Sequence, residues 1–177
     1  IELTREALRE GYERIVVVGG DGTLNEVVNG FFDEEGKSIN SEAILAVIPA
    51  GTGGDFARSI GMRGVNPEDA FRTATIRPVD TGVVQCGGHH RHFINIASFG
   101  STGLVIDRVN KASKTILRGK ASYFFETIVG LSQYKNQKVR LRVDDHFDEV
   151  MSVNCVAVAS GRYFGGSMKV APKAVLD

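Results

Sequence analysis

Ile15-Val16-Val17-Val18 runs directly into Gly19-Gly20-Asp21-Gly22, and Thr23-Leu24-Asn25-Glu26-Val27-Val28 follows at once. Few folds accommodate that succession. The apolar, β-branched run suits a parallel strand covered on both faces. Gly19, Gly20 and Gly22 permit positive φ and let a bulky anion approach the main chain without meeting a Cβ. Leu24, Val27, Val28 and Phe31 then recur at helical spacing. A helix is therefore expected from near Thr23, with unpaired N–H groups and a positive dipole end facing the turn. Such a terminus favours a phosphate chain. Asp21 would repel phosphates unless a donor or a divalent cation lay between, and magnesium is the natural mediator. A plain structural Asp-Gly turn is the competing reading of this segment.

A second unit of the same kind follows. Ile44 to Ile48 form an apolar strand that breaks into Pro49-Ala-Gly-Thr-Gly-Gly-Asp-Phe-Ala-Arg58, with a helix expected near Asp55. If the strands are parallel neighbours, both loops open at the carboxyl edge of one sheet, where ligands bind in such folds. Thr52 offers a hydroxyl, Asp55 a carboxylate and Arg58 a fixed cation. Asp55 could equally be a helix N-cap. Neither loop is a Walker sequence, since no Gly-Lys-Ser/Thr follows, and neither carries the dinucleotide Gly-x-Gly-x-x-Gly.

The texture changes near Asp80, which sits in Arg77-Pro-Val-Asp-Thr-Gly82 and reads locally as a turn residue. Before it, helices are expected around Thr4 to Glu10, from Thr23, from Asp55, and after Asn66-Pro67-Glu68 with proline in the first turn. After it, Val83 to Cys86 and His92 to Ala97 flank Gly87-Gly88, a hairpin signal. Val139, Leu141 and Val143 alternate with basic residues, and Val150 to Ala159 reads as one longer strand. Helices are expected at Thr102 to Lys114 and Ala121 to Tyr134. The expected class is α/β: a Rossmann-like three-layer α/β domain at 1–79, then an incomplete β-rich, β-sandwich-like domain at 80–177.

The motifs together resemble the diacylglycerol kinase catalytic domain, the family that also holds sphingosine and ceramide kinases and the bacterial lipid kinases. The resemblance rests on Gly19-Gly-Asp-Gly-Thr23, on Pro49 to Arg58, and on Gly161-Arg-Tyr-Phe-Gly-Gly166 with Ala171-Pro-Lys-Ala174 and Asp177. It implies an ATP- and magnesium-dependent lipid kinase. ATP phosphates would fall on Gly19, Gly20, Asp21, Gly22, Thr23, Leu24, Asn25 and Glu26, with Thr52 also touching nucleotide. Asp21, Asp55 and Asp80 would gather magnesium and its waters near the transferred phosphate. Departures are Gly54 where many relatives carry Asn, and Ser160 and Ser167 where Asn and Gly are frequent. The chain also starts after the family's Asn-Pro-x-x-Gly strand and stops before the Asp-Gly-Glu that carries the proposed general base. Loss of such a base forfeits roughly 10²–10⁴-fold in rate, so the chain as given is expected to be nearly inactive. An NAD kinase shares Gly-Gly-Asp-Gly-Thr but differs in the second loop, and a non-catalytic nucleotide or lipid sensor on the same scaffold is the reading from another class.

Net charge is zero, which argues against a nucleic-acid partner and makes any basic surface local. Between Arg108 and Lys120 stand Arg108, Lys111, Lys114, Arg118 and Lys120 without an acidic residue, a solvated helix face or a contact for an anionic membrane. The expected partner is a lipid at a membrane surface, met peripherally from the cytoplasmic side. Phe124, Phe125, Ile128 and Leu131 at helical spacing are core or an acyl tunnel. Cys86 and Cys155, far apart in apolar runs, read as small buried hydrophobes of a reducing compartment. His89, His90 and His92 could be thought of as zinc ligands, but beside a glycine turn they read as an exposed polar turn, and no role is assigned to them. Nothing approaches the ~20 apolar residues of a membrane span, no signal peptide opens the chain, and oligomeric state is not legible.

Overall fold

The computed structural model describes residues 1–50, 54–112, 129–130 and 132–176, the side chains of 70, 71 and 109–112 aside. Thr52, Lys114, Arg118, Asp177 and the stripe Phe124, Phe125, Ile128 and Leu131 lie outside the described residues, as does the Lys111 side chain. The chain forms two compact units, one of Ile1–Ala97 with Ala159–Asp177, the other of Ser98–Val158.

The first unit opens with α1 (Glu2–Arg9), β1 (Arg14–Gly19), α2 (Asp21–Gly30), β2 (Ile44–Pro49), α3 (Asp55–Ser59) and α4 (Pro67–Thr73). β1 and β2 pair in parallel from Arg14 opposite Ile44 to Gly19 opposite Pro49. Both glycine loops therefore leave the same edge of the sheet. Asn66 caps α4 by accepting the Glu68 N–H, with proline at the first turn. The core cluster is Val17, Leu24, Val28, Phe56 and Ile94. It occupies one face only. Val17 points into it at 3 % exposure, while Val16 and Val18 on the opposite face are 48 % and 60 % exposed. The expectation of a strand covered on both faces is thus corrected: period-2 alternation sends neighbouring residues to opposite faces, and α2 packs on that of Val17.

The hairpin of β3 (Gly82–Cys86) and β4 (His89–Phe93) turns at Gly87-Gly88, as expected. Its second strand lies earlier than the expected His92 to Ala97: β4 begins at His89 and ends at Phe93, and a new strand, β5 (Ile96–Gly100), begins after Asn95. Two residues of this hairpin depart from expectation. Cys86 is exposed, like Cys155 in the second unit; an apolar run does not specify which of its residues face inward. His92 is buried. Its ring stacks on Phe32 with centroids 3.5 Å apart and planes 2° apart. The Asn29 side chain on α2 pairs with the His92 backbone as a strand would, donating to its carbonyl at 2.9 Å and accepting from its N–H at 3.0 Å. Burial first, and the charge of His90 second, lower the His92 pKa below the ordinary histidine value.

The second unit contains α5 (Ser101–Ala112), the antiparallel hairpin β6 (Gln137–Val143) with β7 (Phe147–Val153), and the start of β8 (Cys155–Ala159). The single strand expected over Val150 to Ala159 is two strands broken at Asn154. That residue caps α5 instead: its carbonyl accepts the Ser101 N–H at 2.8 Å, and its Oδ1 accepts the Ser101 hydroxyl at 2.7 Å. After β8 the chain returns to the first unit, where β9 (Tyr163–Phe164) pairs antiparallel with β10 (Met168–Lys169). No helix among the described residues is long and apolar enough to cross a membrane.

Candidate active site

The first glycine turn is built differently from its sequence reading. Gly19, Gly20 and Gly22 do not have positive φ, and Gly20 is extended at φ −96° and ψ −173°. The helix starts at Asp21, two residues early, with the Leu24 N–H bonded to the Gly20 carbonyl at 3.0 Å. Gly19 is required for close packing, since a Cβ there would stand 2.8 Å from Thr23 Cβ. No atom of the described residues lies within 4 Å of a Cβ built on Gly22. Among the described residues the α2 terminus is thus left uncrowded at Gly22, for a steric rather than a torsional reason.

Asp21 does not point away from the protein. Its Oδ2 accepts the Asp55 N–H and its Oδ1 the Phe56 N–H, each at 3.0 Å. The cap of α3 thus comes from a side chain on another loop, because the local N-cap, Gly54, is in the left-handed region at φ 67° and has no side chain. Asp55, read from sequence as an N-cap or a metal ligand, is buried and turns its own carboxylate onward. Oδ2 accepts the Gly166 N–H at 3.0 Å and Oδ1 the Ser167 N–H at 2.7 Å. The three motifs separated in sequence are therefore fastened in series: glycine turn to α3, and α3 to the turn between β9 and β10.

Asp21 and Asp55 both line a recess of about 180 Å³ shared with Asn25, Phe93, Asn95 and Gly165. Ligand pockets run to ~300–1,000 Å³, so this space suits a phosphate-sized group with its water and not a whole nucleotide. Asn95 was not singled out by the sequence, although an amide inside Phe93-Ile94-Asn95-Ile96 is the kind of buried polar residue that signals a specific partner. Its Nδ2 donates to the Tyr163 carbonyl at 3.0 Å, and its carbonyl accepts the Ser160 and Gly161 N–H groups. Its Oδ1 is buried against Gly161, with no hydrogen-bond partner among the described residues.

Of the expected site residues, Asp21, Leu24, Asn25 and Asp55 meet at this recess. Glu26 instead pairs with Arg91 on the outer face of α2. Asp80 is exposed, and among the described residues no three His, Cys, Asp or Glu side chains converge to hold a metal ion. The two assembled carboxylates still fit magnesium in its usual mode, one or two carboxylates with water and substrate phosphates completing the shell. A carboxylate can take about four hydrogen bonds, so each aspartate keeps lone pairs beyond its two amides.

Residues 1–84 match the family model described as the diacylglycerol kinase catalytic domain, and residues 95–177 that of the YegS C-terminal NAD kinase beta sandwich-like domain. A Chromohalobacter salexigens relative named "Probable lipid kinase YegS-like" is 31% identical over 180 residues, covering 100% of this chain and 55% of that protein. The Bacillus subtilis protein named "Diacylglycerol kinase" is 34% identical over 179 residues, covering 97% and 54%. A Bacillus anthracis crystal structure assigned to the diacylglycerol kinases matches with a TM-score of 0.70 at 27% identity, over 99% of this chain and 56% of that one. The chain spans a little over half the length of these relatives. With two domain matches in succession and relatives along its whole length, the chain belongs to the diacylglycerol kinase catalytic domain family.

Proposed function

We propose that the protein is an ATP- and magnesium-dependent kinase that phosphorylates a lipid hydroxyl of the diacylglycerol type, with Asp21 and Asp55 as the residues that organise the reacting phosphate. The observation that carries this reading is that two glycine-loop aspartates, each held by backbone amides, line one phosphate-sized recess at the start of α2. Magnesium and ATP, when bound, supply charge neutralisation and the phosphoryl group. The chain's own part is positioning. Amides at the start of α2 offer donors to phosphate oxygens, and the space above Gly22 lets them approach. Asp21 is held by two α3 amides, and Asp55 by two turn amides, so neither has rotamer freedom to lose when a cation arrives. Thr52 and Asp80 complete the proposal on family grounds, as do peripheral membrane contact and a cytoplasmic location.

The test is ³²P transfer from labelled ATP with magnesium by the full gene product, against diacylglycerol, sphingosine, ceramide, phosphatidylglycerol and NAD, with Asp21→Ala beside it. Label in a single lipid, lost in the variant, is expected. Label in NAD instead would select the NAD kinase reading, and label in none would favour a sensor.

A further inference from the structure

Two imidazoles share one face of the β3–β4 hairpin. His90 and His92 stand two residues apart on β4, so their side chains leave the same side of the strand, while His89 and Arg91 leave the other. A Cβ built on Gly36 would lie 3.4 Å from His90 Nε2 and 3.7 Å from His92 Nε2. Both ring nitrogens therefore come close to a single point beside the Gly36 main chain, and a glycine leaves that point unfilled. The His92 ring is fixed by its stack on Phe32 and by Thr81 Oγ1, 3.5 Å from its Nδ1. The residue is only 6 % exposed, yet its Nε2 has no hydrogen-bond partner among the described residues. A buried nitrogen left unpaired costs stability.

We propose that His90 and His92 form a binding site for a divalent transition metal of the zinc type, with both Nε2 atoms as ligands beside Gly36 and water in the remaining positions. Imidazole nitrogen suits zinc, copper and nickel, whereas magnesium takes oxygen ligands, so the ion is of a different class from the one that accompanies ATP. In the binding tautomer His92 Nδ1 carries the proton and faces Thr81 Oγ1, which leaves the Nε2 lone pair for the metal, the arrangement that orients metal-bound histidines. Zinc–nitrogen bonds are about 2.0–2.1 Å long. His90 supplies the closing motion, since its ring is half-buried and stands edge-on to His92, with centroids 6.4 Å apart and planes at 87°.

The surroundings suit a cation. The turn that carries Gly36 holds Asp33, Glu34 and Glu35 against Lys37 alone, and the charge of Arg91 is on the other side of β4, paired with Glu26. The site stands by the carboxyl end of α2, whereas the recess of Asp21 and Asp55 lies at the start of that helix and shares none of these residues. It does not rest on the phosphotransfer reading. Because the two rings meet only in the folded hairpin, an ion held there favours the folded chain.

Titration calorimetry with zinc chloride on the full untagged chain tests the site, in a Cys86→Ser background because that exposed thiol stands opposite His89 in the hairpin. Saturable zinc binding that excess magnesium does not displace is expected, with a rise in melting temperature. His90→Gln and His92→Gln are each expected to weaken it about tenfold or more. Gly36→Ala removes no ligand but sets a methyl at the meeting point, and is expected to weaken zinc as well, a change that two purely structural histidines do not give. His89→Gln, on the other side of the strand, is expected to bind as the parent does. Nitrogen-15 spectra are expected to show zinc shifting Nε2 of both rings while Nδ1 of His92 keeps its proton. Circular dichroism checks each fold, and the half-buried His90 keeps the test open if His92→Gln does not fold. No saturable zinc binding, affinity in His90→Gln within about twofold of the parent chain, or an equal loss in His89→Gln overturns the site.

Discussion

Asp55→Asn separates two roles for one residue. A carboxylate present only to bind metal costs folding stability, so its replacement leaves stability unchanged or improved. The structure instead makes Asp55 a clamp, accepting the Gly166 and Ser167 amides at 3.0 and 2.7 Å from a side chain on a buried residue. A hydrogen bond to a charged group contributes about 1.5–3 kcal/mol. Asparagine keeps one acceptor oxygen and turns its NH₂ toward the other N–H, so one bond is lost and a donor faces a donor. Gly166 is exposed, and water recovers part of the loss at its amide. The net cost is about 2–3 kcal/mol, or roughly 5–10 °C in melting temperature for a protein of this size. The assay is a thermal melt followed by circular dichroism in chelator, which removes any metal linkage, together with hydrogen exchange at Gly166 and Ser167. An unchanged or raised midpoint with unaltered exchange at those amides would refute the clamp.

Further outcomes follow from other contacts. His92 has a folded pKa below its unfolded value, so the unfolded chain binds the extra proton first. Its stability contribution is complete above about pH 6.5 and is lost as pH falls from there toward the folded pKa. His92→Gln is expected to flatten that part of the stability profile in urea melts taken across it; a profile superimposable on that of the parent chain would remove the assignment. Gly30→Ala places a Cβ 2.4 Å from Thr4 Cβ and 2.8 Å from the Ile1 carbonyl oxygen, forcing α1 off α2. The overpacking costs about 1–3 kcal/mol against up to ~1 kcal/mol gained in helix propensity, so the melting temperature is expected to fall.

What the sequence by itself determined was local. The strand–turn–helix repeats, the Asn66 cap and the Gly87-Gly88 hairpin could be read because spacing and turn chemistry act between residues a few positions apart. Asp21 and Asp55 could be picked out as candidate site residues for a related reason, since each stands in a short motif of characteristic order. Their partners were not. Asp21 meets amides 34 and 35 residues away, and Asp55 meets amides 111 and 112 residues away, and no periodicity reports such pairs. The same holds for His92, which looked like part of a polar turn and is buried because Phe32 and Asn29 come to meet it. Only the tertiary structure decided which face of β1 is covered, that Asn95 lines the recess, and that His90 and His92 meet beside Gly36. Composition and pattern specify how each segment folds against its neighbours in sequence; which polar groups then share a space follows from packing, where the partners are brought together from opposite ends of the chain.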